Sequence, residues 1–508
     1  MVSQRTIGVI GAGTMGRGIV QLFAQSGHRV RCYDQTEGAA MGAIDFVLSM
    51  IERGVQKGRF TREYADAISS AMYPAVSLDD FTDCEIVVEA IVEDLQVKRQ
   101  LFAKLESVVC KDTILASNTS SLMVADIAAG CHHPERVAGL HFFNPVPLMK
   151  VAEVITAVRT EPAVASRLIA LVESTGHRAV VAADQPGFLV NHAGRGLYTE
   201  GLRMLEEQVA SVQDLDTILR EAAGFRMGPF ELLDLTGLDV SGKVMESIYE
   251  QFQHEPRYRP SSLIPPRVAA GLYGRKNGEG WYRYVDNEKQ VVPDAEVPSP
   301  VLALSVWIHP LSAQHAELQS LIRSSSIVLA QSAGAADLLL IQPWGQDATS
   351  FCVEHQLDAR KCVAIDPLSP LDTRITLMLT VATLPGLRDA AHAILASRGA
   401  SVTVINDSPG FVVQRVLACM VNIASSIAQR GIASVRDIED AVKLGLGYPY
   451  GPLAWGDLIG GRRVLEILEN MHRLTGDPRY RPSLWLVRRA SLGLSLLTAD
   501  AHRSGGEV

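Results

Sequence analysis

His141 and Glu153, twelve residues apart, are the pair in this chain whose types could do acid–base chemistry together. A carboxylate in contact with an imidazole fixes its tautomer and raises its basicity, which makes the histidine a general base near neutral pH. The spacing alone does not establish that the two side chains touch. The alternatives are a structural histidine among aromatic residues and a surface carboxylate at a strand edge.

Polar side chains follow several short apolar segments of the chain. The segment at 84–90 leads to Glu93, the segment at 113–117 leads to a polar cluster at 118–121, and the segment at 137–140 leads to His141. Residues just beyond the carboxyl ends of strands in an open α/β sheet face the ligand crevice. We therefore expect strands at these three segments and a site where they end.

The N-terminal segment has the pattern of a dinucleotide-binding unit. An apolar strand at 7–10 runs into GAGTMG at 11–16, a helical pattern follows, and a second strand ends at Asp34. Gly11 allows a sharp turn, Gly13 lets the backbone approach a pyrophosphate, and Gly16 lets helix and strand pack closely. The helix N-terminus offers N–H groups to the phosphates. An acid at Asp34 binds ribose hydroxyls and repels a 2′-phosphate, so the pattern predicts NAD rather than NADP.

Composition excludes several classes of protein. The chain has 508 residues, 47% hydrophobic and 20% charged, which is typical of a soluble globular protein with more than one core. Its net charge is −9 without a long basic run, so we expect no nucleic-acid partner. The seven cysteines show no metal-ligand spacing, and no metal is predicted. No apolar stretch reaches 18 residues, so we expect no membrane span and a cytoplasmic location.

The chain resembles the 3-hydroxyacyl-CoA dehydrogenase family over residues 1 to about 284. Six stretches carry the resemblance, in order: GAGTMG at 11–16, VEAIVE at 88–93, ASNTSSL at 116–122, GLHFFNPVP at 139–147, QPGFLVN at 185–191 and GPFELLD at 228–234.

This resemblance implies NAD-dependent oxidation of a (3S)-3-hydroxyacyl-CoA to the 3-oxoacyl-CoA. It implies that His141 takes the 3-hydroxyl proton and that Glu153 orients the imidazole. Ser120 and Asn191 would hold the hydroxyl and the acyl thioester. The remaining implied positions are NAD contacts at Gly11, Gly13, Met15, Gly16, Asp34, Glu93, Lys98, Asn144 and Lys276, and a coenzyme A phosphate contact at Lys57.

Lys57 lies in a basic cluster at 53–62, whose residues alone leave two readings open, a solvated helix face or a docking site for an anionic ligand arm.

From residue 151 the chain repeats itself with an offset of about 223. PGF at 186–188 returns at 409–411, and PRYRP at 256–260 returns at 478–482. We expect an α/β Rossmann domain at 1–183, an all-α domain at 184–284, a linker at 285–300, a degenerate Rossmann-like unit at 301–406 and a second all-α domain at 407–508. Val363, Thr376 and Gln414 are expected at the positions of His141, Glu153 and Asn191, so the second copy should bind no nucleotide.

The helical domain of shorter family members forms a dimer interface. The second copy is therefore expected to pack on the first as an internal pseudo-dimer, and the whole chain to form a homo-oligomer, most simply a dimer.

With its length and its duplicated helical domain, the chain resembles the branch of this family that acts on 3-hydroxyadipyl-CoA in bacterial phenylacetate breakdown, and this resemblance implies 3-hydroxyadipyl-CoA as the substrate. The alternatives are a 3-hydroxybutyryl-CoA dehydrogenase and, more remotely, a non-catalytic crystallin-like NADH-binding protein. An adipyl chain ends in a carboxylate, for which Arg226 is a candidate partner. The other interpretation of Arg226 is a charge at the end of a helix.

Overall fold

A computed structural model describes residues 4–299, 304–323 and 327–501. Residue 300 of the predicted linker, residues 301–303 of the predicted degenerate unit and the tail at 502–508 lie outside the described residues. The chain separates into two compact units. The first contains Met1–His192, Arg430–Leu446 and Ala499–Val508, and the second contains Ala193–Gln429 and Gly447–Thr498.

The first unit is built on an eight-stranded sheet in the order β3-β2-β1-β4-β5-β6-β7-β8. All neighbouring strands are parallel except β6 and β7. Its central strands are short apolar segments buried along their length, which is typical of parallel sheets covered by helices on both faces. The strands are β1 (Thr6–Ile10), β2 (Arg29–Tyr33), β3 (Met72–Pro74), β4 (Ile86–Glu89), β5 (Ile114–Ser117), β6 (Val137–Phe142), β7 (Val151–Thr156) and β8 (Arg178–Ala183).

The second unit has a six-stranded sheet in the order β12-β11-β13-β14-β15-β16 and a small hairpin of β9 and β10. As in the first sheet, one pair near the end, β14 and β15, is antiparallel. The strands are β9 (Tyr284–Val285), β10 (Glu288–Lys289), β11 (Ser305–Ile308), β12 (Val328–Leu329), β13 (Leu338–Ile341), β14 (Cys362–Ile365), β15 (Arg374–Leu379) and β16 (Ser401–Ile405).

Helices cover both sheets and make up the rest of the second unit. In chain order they are α1 (Thr14–Gln25), α2 (Ala39–Gln56), α3 (Arg62–Ser69), α4 (Leu95–Val108), α5 (Val124–Ala128), α6 (Pro162–Ser174), α7 (Val190–Ala193), α8 (Arg195–Glu206), α9 (Val212–Ala223), α10 (Pro229–Thr236), α11 (Leu238–Gln251), α12 (Ile264–Ala269), α13 (His315–Arg323), α14 (Ala348–Glu354), α15 (Pro385–Ala396), α16 (Val413–Arg430), α17 (Val435–Leu446), α18 (Pro452–Ile459), α19 (Gly461–Thr475) and α20 (Leu484–Leu492). The predicted fold class, a Rossmann sheet, helical parts and a second sheet, is confirmed.

The first unit includes one helix from the repeated C-terminal part of the chain. Helix α17 packs on β8, where Arg178 forms ion pairs with Asp437 at 2.6 Å and Asp440 at 3.0 Å. The Ala183 N–H also donates to the Ile432 carbonyl at 2.8 Å. The first unit thus includes a helix that follows β8 by about 250 residues in the sequence, roughly one repeat length.

Within the second unit, the two repeated helical segments pack against each other. Glu200 on α8 accepts from Arg415 on α16 at 2.9 Å and from the Tyr480 hydroxyl at 3.1 Å. A side chain at Gly196 would collide with Met420, so glycine allows the close approach of α8 and α16. This is the packing that an internal pseudo-dimer requires.

The antiparallel pairs show how the two sheets correspond. In the first sheet His141 lies opposite Glu153. In the second, Ile365 lies opposite Leu377, and the Asp366 N–H donates to the Thr376 carbonyl at 3.1 Å. The residue opposite Thr376 is therefore Asp366.

The prediction that Val363 takes the position of His141 was wrong, because Val363 pairs with Leu379 further along the strand. The connection from Asp366 to Thr376 is two residues shorter than the one from His141 to Glu153. A constant sequence offset therefore assigns the wrong residue on β14.

Two further findings concern the whole molecule. All seven cysteines are free. Across the described ranges, none of the helices is both long and apolar enough to span a bilayer.

Candidate active site

The antiparallel register of β6 and β7 brings His141 and Glu153 into direct contact. The Nδ1 of His141 lies 2.5 Å from the Oε2 of Glu153, and both side chains are buried. The other carboxylate oxygen, Oε1, accepts the N–H groups of Leu189 and Val190 at 2.9 and 2.7 Å. Glu153 is therefore held by the start of α7, and it holds the imidazole in turn. With Nδ1 donating to the carboxylate, Nε2 remains as the ring nitrogen that can accept a proton.

His141 opens onto a cavity of about 320 Å³ in the first unit. Phe143 packs edge-on against the imidazole, with ring centroids 4.4 Å apart. The cavity brings together seven of the predicted site residues, Met15, Glu93, Lys98, Ser120, His141, Asn144 and Asn191. Its other lining residues are Ala90, Ile91, Asn118, Phe142 and Phe143.

Glu93 organises the polar loop that carries Ser120. Its Oε1 accepts the Thr119 hydroxyl at 2.6 Å and the backbone N–H groups of Ser120 and Ser121 at 3.0 and 3.1 Å. Burial works to raise the pKa of Glu93, but the charge of Lys98 and the hydrogen bonds from the loop bring the pKa below its ordinary value. Glu93 is therefore ionised, and its charge fixes the loop.

Lys98 lies fully buried beneath this loop between two carboxylates. Its Nζ is 2.5 Å from Glu89 and 3.2 Å from Glu93. Glu89 also accepts the Ser117 hydroxyl at 2.7 Å. A buried charge needs such partners, because removing one would leave the other uncompensated.

Glu89 was given no role in the sequence analysis, and Asn118 was expected at the crevice only as a member of the polar cluster at 118–121. The Asn118 Oδ1 accepts the Phe142 N–H at 2.8 Å, which ties the loop after β5 to the end of β6. The signal was available: Glu89 is a charged residue at the end of an apolar strand, and Asn118 directly follows another. Residues at such positions face the ligand crevice.

A second cavity of about 590 Å³ lies at the glycine turn. A side chain at Gly16 would lie 1.7 Å from the Gly11 carbonyl oxygen, and Gly11 itself has φ +104°. Gly13 lines the cavity, and a Cβ at this position would have no other heavy atom within 4 Å. Gly11 and Gly16 thus permit the turn, and Gly13 leaves the space in which a pyrophosphate would lie before α1.

Asp34 stands at the edge of this second cavity with a fixed carboxylate. It accepts the Ala12 N–H at 2.8 Å and the Thr36 N–H at 2.9 Å. Burial opposes ionisation, but these hydrogen bonds bring the pKa of Asp34 below its ordinary value. An ionised carboxylate here can accept ribose hydroxyls and would repel a 2′-phosphate. The residues of this cavity therefore fit NAD.

Five predicted residues line neither of these two cavities. Two of them, Glu153 and Gly16, lie behind the cavity walls against His141 and Gly11, and the other three are Lys57, Lys276 and Arg226. Lys57 is exposed just after α2, and within its basic cluster Arg62 pairs with Glu52 at 2.7 Å. Lys276 and Arg226 belong to the second unit. There Lys276 forms an ion pair with Asp239, and Arg226 is exposed beside Gly447.

Two family models match the chain. Residues 6–185 match the NAD binding domain of 3-hydroxyacyl-CoA dehydrogenase, and residues 187–284 and 410–496 both match its C-terminal domain. The chain belongs to the 3-hydroxyacyl-CoA dehydrogenase family. It is thus an NAD-dependent oxidoreductase, which confirms the cofactor and the enzyme class expected from its motifs.

Relatives of this dehydrogenase include long and short proteins. It is 37% identical over 492 residues to a 3-hydroxyadipyl-CoA dehydrogenase of Escherichia coli, covering 97% of this chain and 98% of the relative. A 3-hydroxybutyryl-CoA dehydrogenase of Mycobacterium tuberculosis is 36% identical over 280 residues. This match covers 55% of this chain and 98% of the relative. The crystal structure of a 3-hydroxybutyryl-CoA dehydrogenase from Escherichia coli K12 has a TM-score of 0.85 at 36% identity, covering 97% of this chain and 99% of that one.

Proposed function

We propose that this dehydrogenase oxidises 3-hydroxyadipyl-CoA to 3-oxoadipyl-CoA with His141 as the general base. The observation that carries the chemistry is the contact of His141 with Glu153 at the cavity that Ser120 and Asn191 also line. An imidazole, a fixed carboxylate and two hydrogen-bonding side chains are what proton removal from a secondary alcohol needs.

His141 takes the proton of the 3-hydroxyl on Nε2. The imidazolium so formed is stabilised by Glu153, whose carboxylate cannot turn away because Leu189 and Val190 hold its other oxygen. Bound NAD⁺ supplies the acceptor for the hydride that leaves C3 of the substrate. The surrounding aromatic side chains, Phe143 and Phe188, restrict water around the imidazole.

Ser120 and Asn191 position the substrate in this proposal. Ser120 lies on the loop that Glu93 fixes, and Asn191 lies in α7, whose first N–H groups Glu153 holds. Asn191 is therefore tied through its helix to Glu153, which orients the base, and Ser120 is tied to Glu93. Their roles are to hold the hydroxyl and the acyl thioester, so that proton transfer needs little reorganisation.

The choice of an adipyl chain is supported by the full-length similarity to the 3-hydroxyadipyl-CoA dehydrogenase. The competing substrate is 3-hydroxybutyryl-CoA, which is supported by the similar crystal structure of a 3-hydroxybutyryl-CoA dehydrogenase and by the shorter relatives. NADH consumption by the purified protein, compared for 3-oxoadipyl-CoA and acetoacetyl-CoA, separates the two. We expect kcat/KM to favour 3-oxoadipyl-CoA at least tenfold, about 1.4 kcal/mol of transition-state discrimination. Equal rates, or a preference for acetoacetyl-CoA, would contradict the adipyl assignment, and no turnover would contradict the catalytic one.

The oligomeric state is a further part of the proposal. The packing of α8 on α16 supports an internal pseudo-dimer, and we propose that whole chains then form a homodimer. A fragment of residues 1–284 lacks both α16 and α17, so it should self-associate in sedimentation experiments. A stable monomeric fragment would contradict the pseudo-dimer.

A further inference from the structure

A cavity of about 300 Å³ in the second unit is lined by residues of both chain repeats. Arg203 and Glu206 on α8 form one part of its wall. Arg259 and Ser262 come from the first PRYRP segment and the residues just after it, and Arg479 comes from the second PRYRP segment. The volume is at the lower end of that of small-molecule sites, about 300–1,000 Å³. Three arginines and one carboxylate line this cavity, which gives it an excess of positive charge.

The carboxylate of this lining, Glu206, is occupied by hydrogen bonds from the loop after the first PRYRP segment. Its Oε1 accepts the Ser261 hydroxyl at 2.6 Å and the Ser262 N–H at 3.0 Å. Arg203 is compensated by Glu207, whose carboxylate lies 2.8 Å from its Nε. These contacts hold the wall of the cavity in place and use up the charge of Arg203.

Arg479 and Arg259 keep N–H donors that the chain does not use. Arg479 is 6% exposed, its Nη1 lies 3.4 Å from Glu200, and its Nε lies 3.1 Å from Asp477. Within the described ranges its Nη2 has no partner, and the exposed Arg259 forms no ion pair. A guanidinium in a protein interior is stabilised when each N–H finds an acceptor. An anion in the cavity would supply the acceptor that these two arginines lack.

The other repeat shows the same arginine with its donors satisfied. Arg257 stands in the first PRYRP segment where Arg479 stands in the second. Its Nη1 donates to the Ser426 hydroxyl at 2.9 Å and its Nη2 to the Arg481 carbonyl at 2.6 Å. Ser426 lies on α16, 223 residues after Arg203, so a short hydroxyl replaces an arginine at this position. One repeat therefore closes its donors internally, whereas the other leaves them to the cavity.

A phosphate group is the anion that suits this cavity. Its oxygens accept charge-assisted hydrogen bonds from the planar guanidinium fork, and its two negative charges match the two arginines with unused donors. Leu202, Met245 and Pro260 add apolar surface to the lining, which an organic group attached to the phosphate can cover. The lining thus favours a phosphate monoester of a small molecule over a free inorganic ion.

We propose that this cavity is a binding site for a small phosphate monoester, held by Arg259 and Arg479. The site lies entirely within the second unit, and it is separate from the glycine turn and from the cavity at His141. The inference does not depend on the proposed function. It gives the duplicated part of the chain a role in ligand binding in addition to its role in packing.

The test is isothermal titration of phenyl phosphate into the full-length protein saturated with NADH, at pH 8, where a phosphate monoester carries two negative charges. We expect one site per chain that Arg259→Met weakens at least tenfold. Arg259→Lys should recover part of this loss, because it keeps the charge without the planar fork. Benzoate, which carries a carboxylate in place of the phosphate, should bind at least tenfold more weakly than phenyl phosphate.

Arg481→Met is the matched control, because it removes the arginine equivalent to Arg259 from the second PRYRP segment. Arg481 is exposed and lies 4.0 Å from Glu255, and its loss should change the affinity less than twofold. No binding to the wild type, or equal losses in Arg259→Met and Arg481→Met, would overturn the proposal. Binding that survives Arg259→Met but is lost in Lys57→Met would also overturn it, since the phosphate would then lie at the basic cluster. Equal affinities for benzoate and phenyl phosphate would overturn the choice of a phosphate.

Discussion

The antiparallel strand pairs of the two sheets hold the same backbone arrangement with different side chains. In the first unit, His141 faces Glu153, and Glu153 binds the N–H groups of Leu189 and Val190. In the second, Asp366 occupies the position of His141 and Thr376 that of Glu153. Asp366 accepts from the Leu368 N–H and from Gln414 Nε2, both at 3.0 Å.

This comparison separates what the fold needs from what the chemistry needs. Both copies keep a buried carboxylate beside the start of the following helix, where N–H groups lack intrahelical acceptors. In the second copy this carboxylate belongs to Asp366, which directly follows β14. Asp366 therefore occupies the position that the imidazole of His141 has in the first copy. Burial raises the pKa of Asp366 to about 6, against the hydrogen bonds from Leu368 and Gln414. The buried carboxylate of the second copy serves packing, whereas the carboxylate of the first contacts an imidazole and fits the proton transfer proposed for His141.

Replacement of His141 should produce the largest effect. We expect His141→Ala to lower kcat about a thousandfold, because a positioned general base contributes roughly 10²–10⁴ to the rate. NADH should still bind, since the glycine turn and Asp34 are untouched. Steady-state turnover and NADH fluorescence titration measure the two quantities. Asp366→Asn, at the equivalent position of the second copy, is the control and should leave kcat unchanged. A comparable loss of kcat in this variant would contradict the assignment of the chemistry to the first copy alone.

Glu153→Gln should have the next largest effect, a loss of about a hundredfold in kcat. The glutamine carbonyl can still accept from Leu189 and Val190, but its NH₂ group then faces Nδ1 of His141 and favours the tautomer with the proton on Nε2. That tautomer cannot take the substrate proton. A pH profile of kcat/KM in the variant would reveal the altered base. Full activity in Glu153→Gln would mean that the carboxylate is only structural.

Asp366→Asn should change the pH dependence of stability. The folded pKa of Asp366 is about 6 against an ordinary value of 3.8, so the folded state binds this proton more tightly than the unfolded one. The contribution to stability is therefore present at pH below 4 and is lost as pH rises through 6, by at most about 3 kcal/mol.

We expect Asp366→Asn to melt above wild type at pH 8, with the advantage shrinking towards pH 4.5. Thermal melts at both pH values give the difference. Asp337→Asn is the control: hydrogen bonds from Ser305 lower the pKa of this exposed carboxyl, so its removal should give the opposite sign and a smaller change. A pH-independent difference for Asp366→Asn would show that the carboxyl does not titrate in this range.

Asp34→Ala should have the smallest of these effects. Loss of the carboxylate removes both the ribose acceptor and the repulsion of a 2′-phosphate. We expect the ratio of kcat/KM for NADPH over NADH to rise about tenfold, with kcat for NADH nearly unchanged. An unaltered ratio would show that other residues choose the cofactor.

The sequence was most informative where structure is locally determined. At the glycine turn, the positive φ of Gly11 and the contact between Gly11 and Gly16 follow from six consecutive residues. The cavity at His141 could be anticipated because several strand ends converge on one edge of a parallel sheet.

The register between paired strands could not be predicted from the sequence in the same way. The contact of His141 with Glu153 depends on the length of the connection between β6 and β7, and the two-residue shortening between β14 and β15 misled the assignment of Val363.

The number of NADH molecules bound per chain tests the central claim, that nucleotide chemistry belongs to the first copy alone. Isothermal titration of NADH into the full-length protein should give one site per chain. Gly16→Val should abolish that site, because its side chain would collide with the Gly11 carbonyl. Asp366→Asn should leave one site. Two sites in the wild type, or one that survives Gly16→Val, would contradict the account.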